Sequence, residues 1–284
     1  DLVFWRLPRT EHSGGNHAQR LVCDLWQPPI GTPASGLALI FFHGGGWHQF
    51  DKDSLTRPFF RHLAAQGHVI MDVAYRLRPD ADLVGMVGDA KRAVAWMKAN
   101  AARFEVDPDR VVAAGGSAGG HLALMAAYTP GHAALTPDEL QDCDIKVQAV
   151  VAWYPIVDLS AYVGYNDYRT VRLGPFELTS PREVVPALVG ANPDGAPERY
   201  DLLSPINHAG PDCPPTLLLQ AGHDHVVPGE GVRALQARLK AAGVPAVRVE
   251  YPGTEHAFDL VLPWVSPAAQ AAWYDVERFL AMVL

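Results

Sequence analysis

The sequence predicts an α/β fold, a mainly parallel central sheet with helices on both faces. Three observations carry this prediction. Short apolar runs alternate along the chain with longer segments whose apolar residues recur at helical spacing, the pattern of βαβ units. The run Val147–Trp153 is continuously apolar, as expected of a strand covered on both faces. The polar residues that could carry chemistry fall just past the predicted strand ends, where ligands bind in such sheets.

In chain order, Leu21–Trp26 reads as a strand and Leu37–Phe42 as the next. Leu55–Gln66 is helix-like, and Gly67 turns the chain into strand Val69–Tyr75. From Asp82 to Ala102, Leu83, Val87, Ala90, Val94 and Met97 keep helical spacing. Asp107-Pro108-Asp109 turns into strand Val111–Ala114, and an Ala/Leu-rich helix follows over 118–128. Val147–Trp153 and Thr216–Ala221 are the next strands. Helix 230–242 ends at Gly243, and Ala246–Tyr251 is the last strand. Helix 267–283 closes the chain, with Ala272, Trp273, Val276, Phe279 and Leu280 along one side.

One segment breaks this rhythm. Residues 159–205 are rich in Tyr and Pro and contain no clear strand. A structureless loop of that length is unusual in a compact domain, so short helices forming a small cap over the site are expected there. Residues 1–284 otherwise read as a single domain, with no internal repeat and no dividing linker.

Composition bounds the function. A chain of 284 residues with 49% hydrophobic content can bury one large core. The net charge is −8 and Lys and Arg are thinly spread, which argues against nucleic acid as a partner. No run approaches the roughly 18 uncharged apolar residues of a membrane span. The chain reads as soluble. Its start at Asp1, with neither Met nor a signal-like apolar stretch, is that of a trimmed chain or a mature secreted one; a cytoplasmic location is the expectation, with the secreted form left open. Cys23, Cys143 and Cys213 are odd in number and widely separated, so buried free thiols are expected, with one disulfide and one free thiol as the alternative. A homo-oligomer is compatible with all of this.

The chemistry-bearing motif is Gly115-Gly116-Ser117-Ala118-Gly119, set between the run Val111–Ala114 and the helix 118–128. A Gly-x-Ser-x-Gly between strand and helix is a nucleophile elbow, which presents a serine hydroxyl at a strained bend. Side chains at 115 and 119 would collide with the neighbouring strand and helix. A second glycine loop, His43-Gly44-Gly45-Gly46-Trp47, follows the strand Leu37–Phe42. Three glycines in a row expose backbone N–H groups to a ligand oxygen. Lipases and esterases of the α/β-hydrolase fold use such a loop for half of the oxyanion hole, with the N–H after the nucleophile as the other half. Neither loop has the glycine spacing of a dinucleotide site or the Gly-Lys-Ser/Thr of a phosphate-binding loop.

A serine hydroxyl needs a base, and the base an orienting acid. In this fold their order along the chain is Ser, then Asp or Glu, then His. Asp224 lies just past the strand Thr216–Ala221, and His256 follows the last strand and a Pro-Gly turn. Asp158 and Asp201 are weaker rivals, because neither follows a clean strand at the right point. His43 is expected to hold the glycine loop, His121 to pack against the core, and Arg76 to fix loops. His223 and His225 flank Asp224 but lack a third ligand, so no metal is expected. Gly44, Trp47 and Trp153 are candidates for the substrate pocket, with core packing equally open for Trp153.

These residues together identify a resemblance. His43-Gly44-Gly45-Gly46-Trp47, Tyr75-Arg76-Leu77, the Ser117 elbow, Asp224 and His256 resemble those of the hormone-sensitive-lipase-like esterases of the α/β-hydrolase superfamily, over essentially residues 20–283. The resemblance implies an α/β-hydrolase fold and serine hydrolysis of short-acyl, acetyl-type carboxylic esters without metal or organic cofactor. It also implies Gly45, Gly46 and Ala118 as oxyanion donors. The chain departs from many relatives in two ways: Gly116 stands where an acidic residue is common, and little precedes the first strand. An acetyl esterase acting on acetylated carbohydrate and an arylformamidase-like amide hydrolase are the alternative enzymes. A non-catalytic binding module is the alternative outside enzymology.

Overall fold

A computed structural model describes residues 1–7, 19–165, 171–173 and 176–283 of the chain. Its elements are β1 (Leu2–Arg6), β2 (Arg20–Trp26), β3 (Ala38–Phe42), α1 (Arg57–Ala64), β4 (Val69–Ala74), α2 (Leu83–Ala99), β5 (Val111–Gly116), α3 (Ala118–Tyr128) and β6 (Ala149–Trp153). They continue with α4 (Leu159–Tyr165), β7 (Val171–Leu173), β8 (Phe176–Leu178), α5 (Pro181–Val189), α6 (Pro197–Leu202), β9 (Thr216–Ala221), α7 (Gly229–Ala241), β10 (Ala246–Tyr251) and α8 (Pro267–Val283).

Eight strands form one sheet in the order β1-β2-β4-β3-β5-β6-β9-β10. β2 pairs antiparallel with both β1 and β4, and β3, β4, β5, β6, β9 and β10 are mutually parallel. All six parallel strands therefore point their carboxyl ends to one edge. The central strands are buried throughout because both faces are covered.

Alternate residues feed two separate cores, the consequence of a two-residue strand period. Ala38, Ile40, Phe42, Met71, Val73 and Ala113 face α2, α3, α7 and the insertion. Leu39, Phe41, Ile70, Val112, Val151 and Trp153 face α1 and α8. Helix α8 meets that core with Ala269, Ala272, Trp273, Val276, Phe279 and Leu280, spaced three and four apart as an amphipathic helix requires. α3 follows the elbow and is buried on every side, which is why it is nearly all Ala, Gly, Leu and Met.

Three expectations are corrected. The residues before Leu21 contribute a strand, β1, paired antiparallel to β2 at the edge of the sheet. Its five residues are too few for a period to be read. The insertion does carry short helices, but β7 and β8 also pair in it as a small hairpin. Among the cysteines, all unpaired, Cys23 and Cys213 are buried but Cys143 is exposed. Among the described residues no helix is long and apolar enough to cross a membrane.

Candidate active site

The site is built at the carboxyl edge of the sheet by the loops after β3, β5, β6, β9 and β10. Ser117 leaves β5 with φ +56 and ψ −119, a conformation rare for a residue with a side chain. The bend is possible because α3 crosses β3 at contact distance: a Cβ on Gly119 would lie 1.9 Å from the carbonyl oxygen of Phe42.

The structure brings three of the sequence candidates into one chain of hydrogen bonds. Nε2 of His256 lies 3.0 Å from Oγ of Ser117, and Nδ1 of His256 lies 2.9 Å from Oδ2 of Asp224. Carboxylate oxygens only accept, so Nδ1 carries the proton and Nε2 offers its lone pair to the serine hydroxyl. The Asp224 side chain is 1% exposed and that of His256 15%. Asp224 is held by four donors: Val226 N at 2.9 Å and Val227 N at 2.8 Å on Oδ1, and His256 and Gln220 Nε2, the latter at 3.3 Å, on Oδ2. Together these donors fix the orientation of the carboxylate.

The rivals are engaged elsewhere. Asp158 accepts from the backbone N–H of Ala161 at the start of α4, and Asp201 accepts from Asn207. His225 is exposed and pairs with Glu255 at 3.5 Å. Among the described residues, no group of three or more His, Cys, Asp or Glu is placed to hold a metal ion.

Opposite Ser117 stands the glycine loop. Gly44 abuts the nucleophile turn: a Cβ there would lie 3.5 Å from the Cβ of Ser117. Gly45 has φ +106, and a Cβ on it would meet the carbonyl oxygen of Gln49 at 2.2 Å, so only glycine fits. Among the described residues, the N–H groups of Gly45, Gly46 and Ala118 have no hydrogen-bond acceptor. His43 does hold the loop. It is buried, stacks on Tyr75 at 4.4 Å and donates from Nδ1 to the carbonyl of Gly44 at 2.7 Å. Burial pushes its imidazole down to about 4, so it is neutral at physiological pH. Tyr75 donates to the carbonyl of His43, and Arg76 forks onto Asp89 of α2 at 2.7 and 2.8 Å.

The two tryptophans are packing residues. Trp47 is 1% exposed and meets His121 edge-on at 5.3 Å. Trp153, also 1% exposed, packs between Phe41 and Phe59 on the α1/α8 side of the sheet. Their ring volume fills the core under the site, so neither indole offers surface to a ligand.

Sequence reasoning missed four polar residues. His48 donates from Nδ1 to the Gly46 carbonyl at 2.9 Å and accepts from the hydroxyl of Thr179 at 2.8 Å, tying the glycine loop to the insertion. Tyr154 sits one residue past β6 with its ring 4.4 Å from that of His256, and its hydroxyl donates to Asp259. The available signal for Tyr154 was its position, the same just-past-a-strand placement as the other site residues.

Comparison with known proteins follows the same lines. A family model, BD-FAE, matches residues 23–239. The probable carboxylic ester hydrolase LipM of Mycobacterium tuberculosis is 33% identical over 276 residues, covering 96% of this chain and 59% of its own length. The versiconal hemiacetal acetate esterase of Dothistroma septosporum is 30% identical over 243 residues, covering 84% of this chain and 70% of its own length. The chain spans 54% to 59% of the length of three mycobacterial relatives, LipM, LipQ and LipC. Among solved structures, the apo form of Thermogutta terrifontis esterase 2 superposes with a TM-score of 0.78 at 25% identity, over 99% of this chain and 93% of that one. The butyrate-bound form gives 0.76 at 28% identity, over 93% and 90%.

Proposed function

Because this chain belongs to the BD-FAE family, among the hormone-sensitive-lipase-like esterases of the α/β-hydrolase fold, we propose that it is a serine carboxylesterase for short-acyl esters. The observation that carries this reading is the hydrogen-bonded series Ser117, His256, Asp224 beside a glycine loop whose N–H groups have no acceptor among the described residues. In it, Oγ of Ser117 attacks the ester carbonyl while Nε2 of His256 takes its proton. Asp224 steadies the imidazolium. The N–H groups of Gly45, Gly46 and Ala118 receive the charge that develops on the carbonyl oxygen. Collapse of the tetrahedral species, with His256 protonating the leaving alcohol, forms the acyl-enzyme. Water activated by the same histidine then releases the acid. No step calls for a metal or organic cofactor.

Small acyl groups are favoured by the names of similar proteins: an acetate ester for the fungal relative, and bound butyrate for the bacterial esterase. The described residues of 159–205 act as a cap in this reading; residues 166–170 and 174–175 lie outside the described residues. Its support is the bond from Thr179 to His48 and that from His121 to the carbonyl of Leu203, which tie the insertion to the glycine loop and to α3.

A fluorophosphonate probe should label one site, with the mass shift on the peptide containing Ser117. Over p-nitrophenyl esters from acetate to dodecanoate, kcat/KM should peak between acetate and butyrate and fall at least about tenfold by octanoate. A label on any other residue contradicts the nucleophile, and rates rising through dodecanoate contradict the short-acyl part. Backbone donors cannot be deleted by truncating a side chain, so Gly45→Ala is the probe of the oxyanion hole. Its Cβ must displace the loop at Gln49, and kcat should fall about 10²–10³-fold. A rate within threefold of wild type would remove Gly45 from that role.

A further inference from the structure

Tyr154 and Asp259 stand beside His256 but have no part in the proton path above. The phenol ring of Tyr154 lies 4.4 Å from the imidazole, tilted by 56°, and Phe258 meets the same phenol edge-on at 6.1 Å. Its hydroxyl donates to Oδ1 of Asp259 at 2.5 Å. Tyr154 has φ +36, a backbone angle that a bulky residue keeps only where its surroundings hold it. Asp259 belongs to the loop that carries His256. The phenol hydroxyl therefore ties that loop to the end of β6, with the ring against the imidazole.

We propose that Tyr154 and Asp259 are a positioning pair for His256. The ring braces the imidazole, and the carboxylate held by the phenol hydroxyl supplies a second negative charge near His256 that favours the imidazolium. The proposal rests on His256 being the general base. In the free enzyme the same charge favours protonated His256, and during acyl transfer it favours the imidazolium that forms as Ser117 gives up its proton.

The electrostatics agree with the geometry. Burial pushes the Asp259 carboxyl up to about 6, while the Tyr154 bond and the nearby His256 pull the other way. The Tyr154 phenol is itself pushed well above its ordinary range by burial, so it stays a donor. The other groups near this pair are Asp224 on Nδ1 of His256, the exposed Glu255–His225 pair, and Tyr251, whose hydroxyl donates to Asp275. Removing the charge of Asp259 therefore leaves the Asp224 contact in place.

The test is the pH profile of p-nitrophenyl acetate hydrolysis by wild type, Asp259→Asn, Tyr154→Phe and the double variant. Without the Asp259 charge, the acid limb of kcat/KM should move to lower pH by about 0.3–1 unit, and plateau kcat should fall about 5- to 50-fold with KM little changed. Tyr154→Phe keeps the ring but removes the donor, so the carboxyl titrates higher still. Its deficit should be largest near about pH 6–7 and shrink toward about pH 8.5 as Asp259 ionises, which a loss of packing would not produce. The double variant should match Asp259→Asn within about twofold, because the two residues act as one unit. Unmoved pH profiles with uniformly lower rates, or effects that multiply in the double variant, would overturn the pair. Should Asp259→Asn fail to fold, the pH dependence of Tyr154→Phe decides alone. Wild-type turnover that does not depend on Ser117 would instead overturn the underlying esterase reading.

Discussion

Ser117→Ala is expected to lower kcat/KM for p-nitrophenyl acetate by about 10⁵–10⁶-fold while leaving Tm and near-ultraviolet circular dichroism unchanged. The reason for the loss is that no acyl-enzyme can form: water must attack directly, with only binding and the oxyanion donors to help. A residual acceleration of about 10³–10⁴ over the uncatalysed reaction is what such donors retain. Stability should hold because, among the described residues, Oγ shares a side-chain hydrogen bond only with the partly exposed His256. Alanine meets the same backbone strain at φ +56 as serine does. Turnover close to wild type in a folded Ser117→Ala protein would end the nucleophile assignment.

Asp224→Asn should cost about 10⁴-fold in kcat with the fold intact, and its mechanism can be read from the hydrogen bonds. Two backbone amides, those of Val226 and Val227, donate to Oδ1 at 2.9 and 2.8 Å. An asparagine must answer them with its carbonyl oxygen, which turns its NH₂ toward Nδ1 of His256. A donor facing Nδ1 forces the imidazole proton onto Nε2, the nitrogen that accepts the proton of Ser117 in the proposed mechanism. The side chain keeps its place while the base presents the wrong tautomer. Measured kcat within tenfold of wild type would mean that Asp224 does not orient this histidine.

Much of this architecture was legible before the fold was known, for local reasons. Thr216–Ala221 and Ala246–Tyr251 match their observed strands end to end, because short runs rich in Val and Leu, bounded by turn residues, admit little else. The elbow was legible because it compresses strand, bend and helix into ten residues whose glycines have steric causes. Asp224 and His256 were legible because each follows such a strand. The aromatic residues were not: Trp47 lies past the end of β3 and Trp153 closes β6, and a one-dimensional pattern cannot distinguish a ring above the edge from one beneath it. β1 escaped because five residues at a sheet edge carry little periodicity. The β7–β8 hairpin escaped because its strands are three residues each.

By itself, then, the sequence determined the layered α/β fold, the edge where chemistry could occur and the three side chains proposed to perform it. Each of these follows from local periodicity and backbone sterics, which act over a few residues. Only the tertiary structure decided which groups stand around the imidazole. Tyr154 and Asp259 meet across 105 positions of chain, and His48 and Thr179 across 131. No local pattern encodes such contacts, because they arise from how the loops are carried by the packed sheet and not from the loops' own preferences.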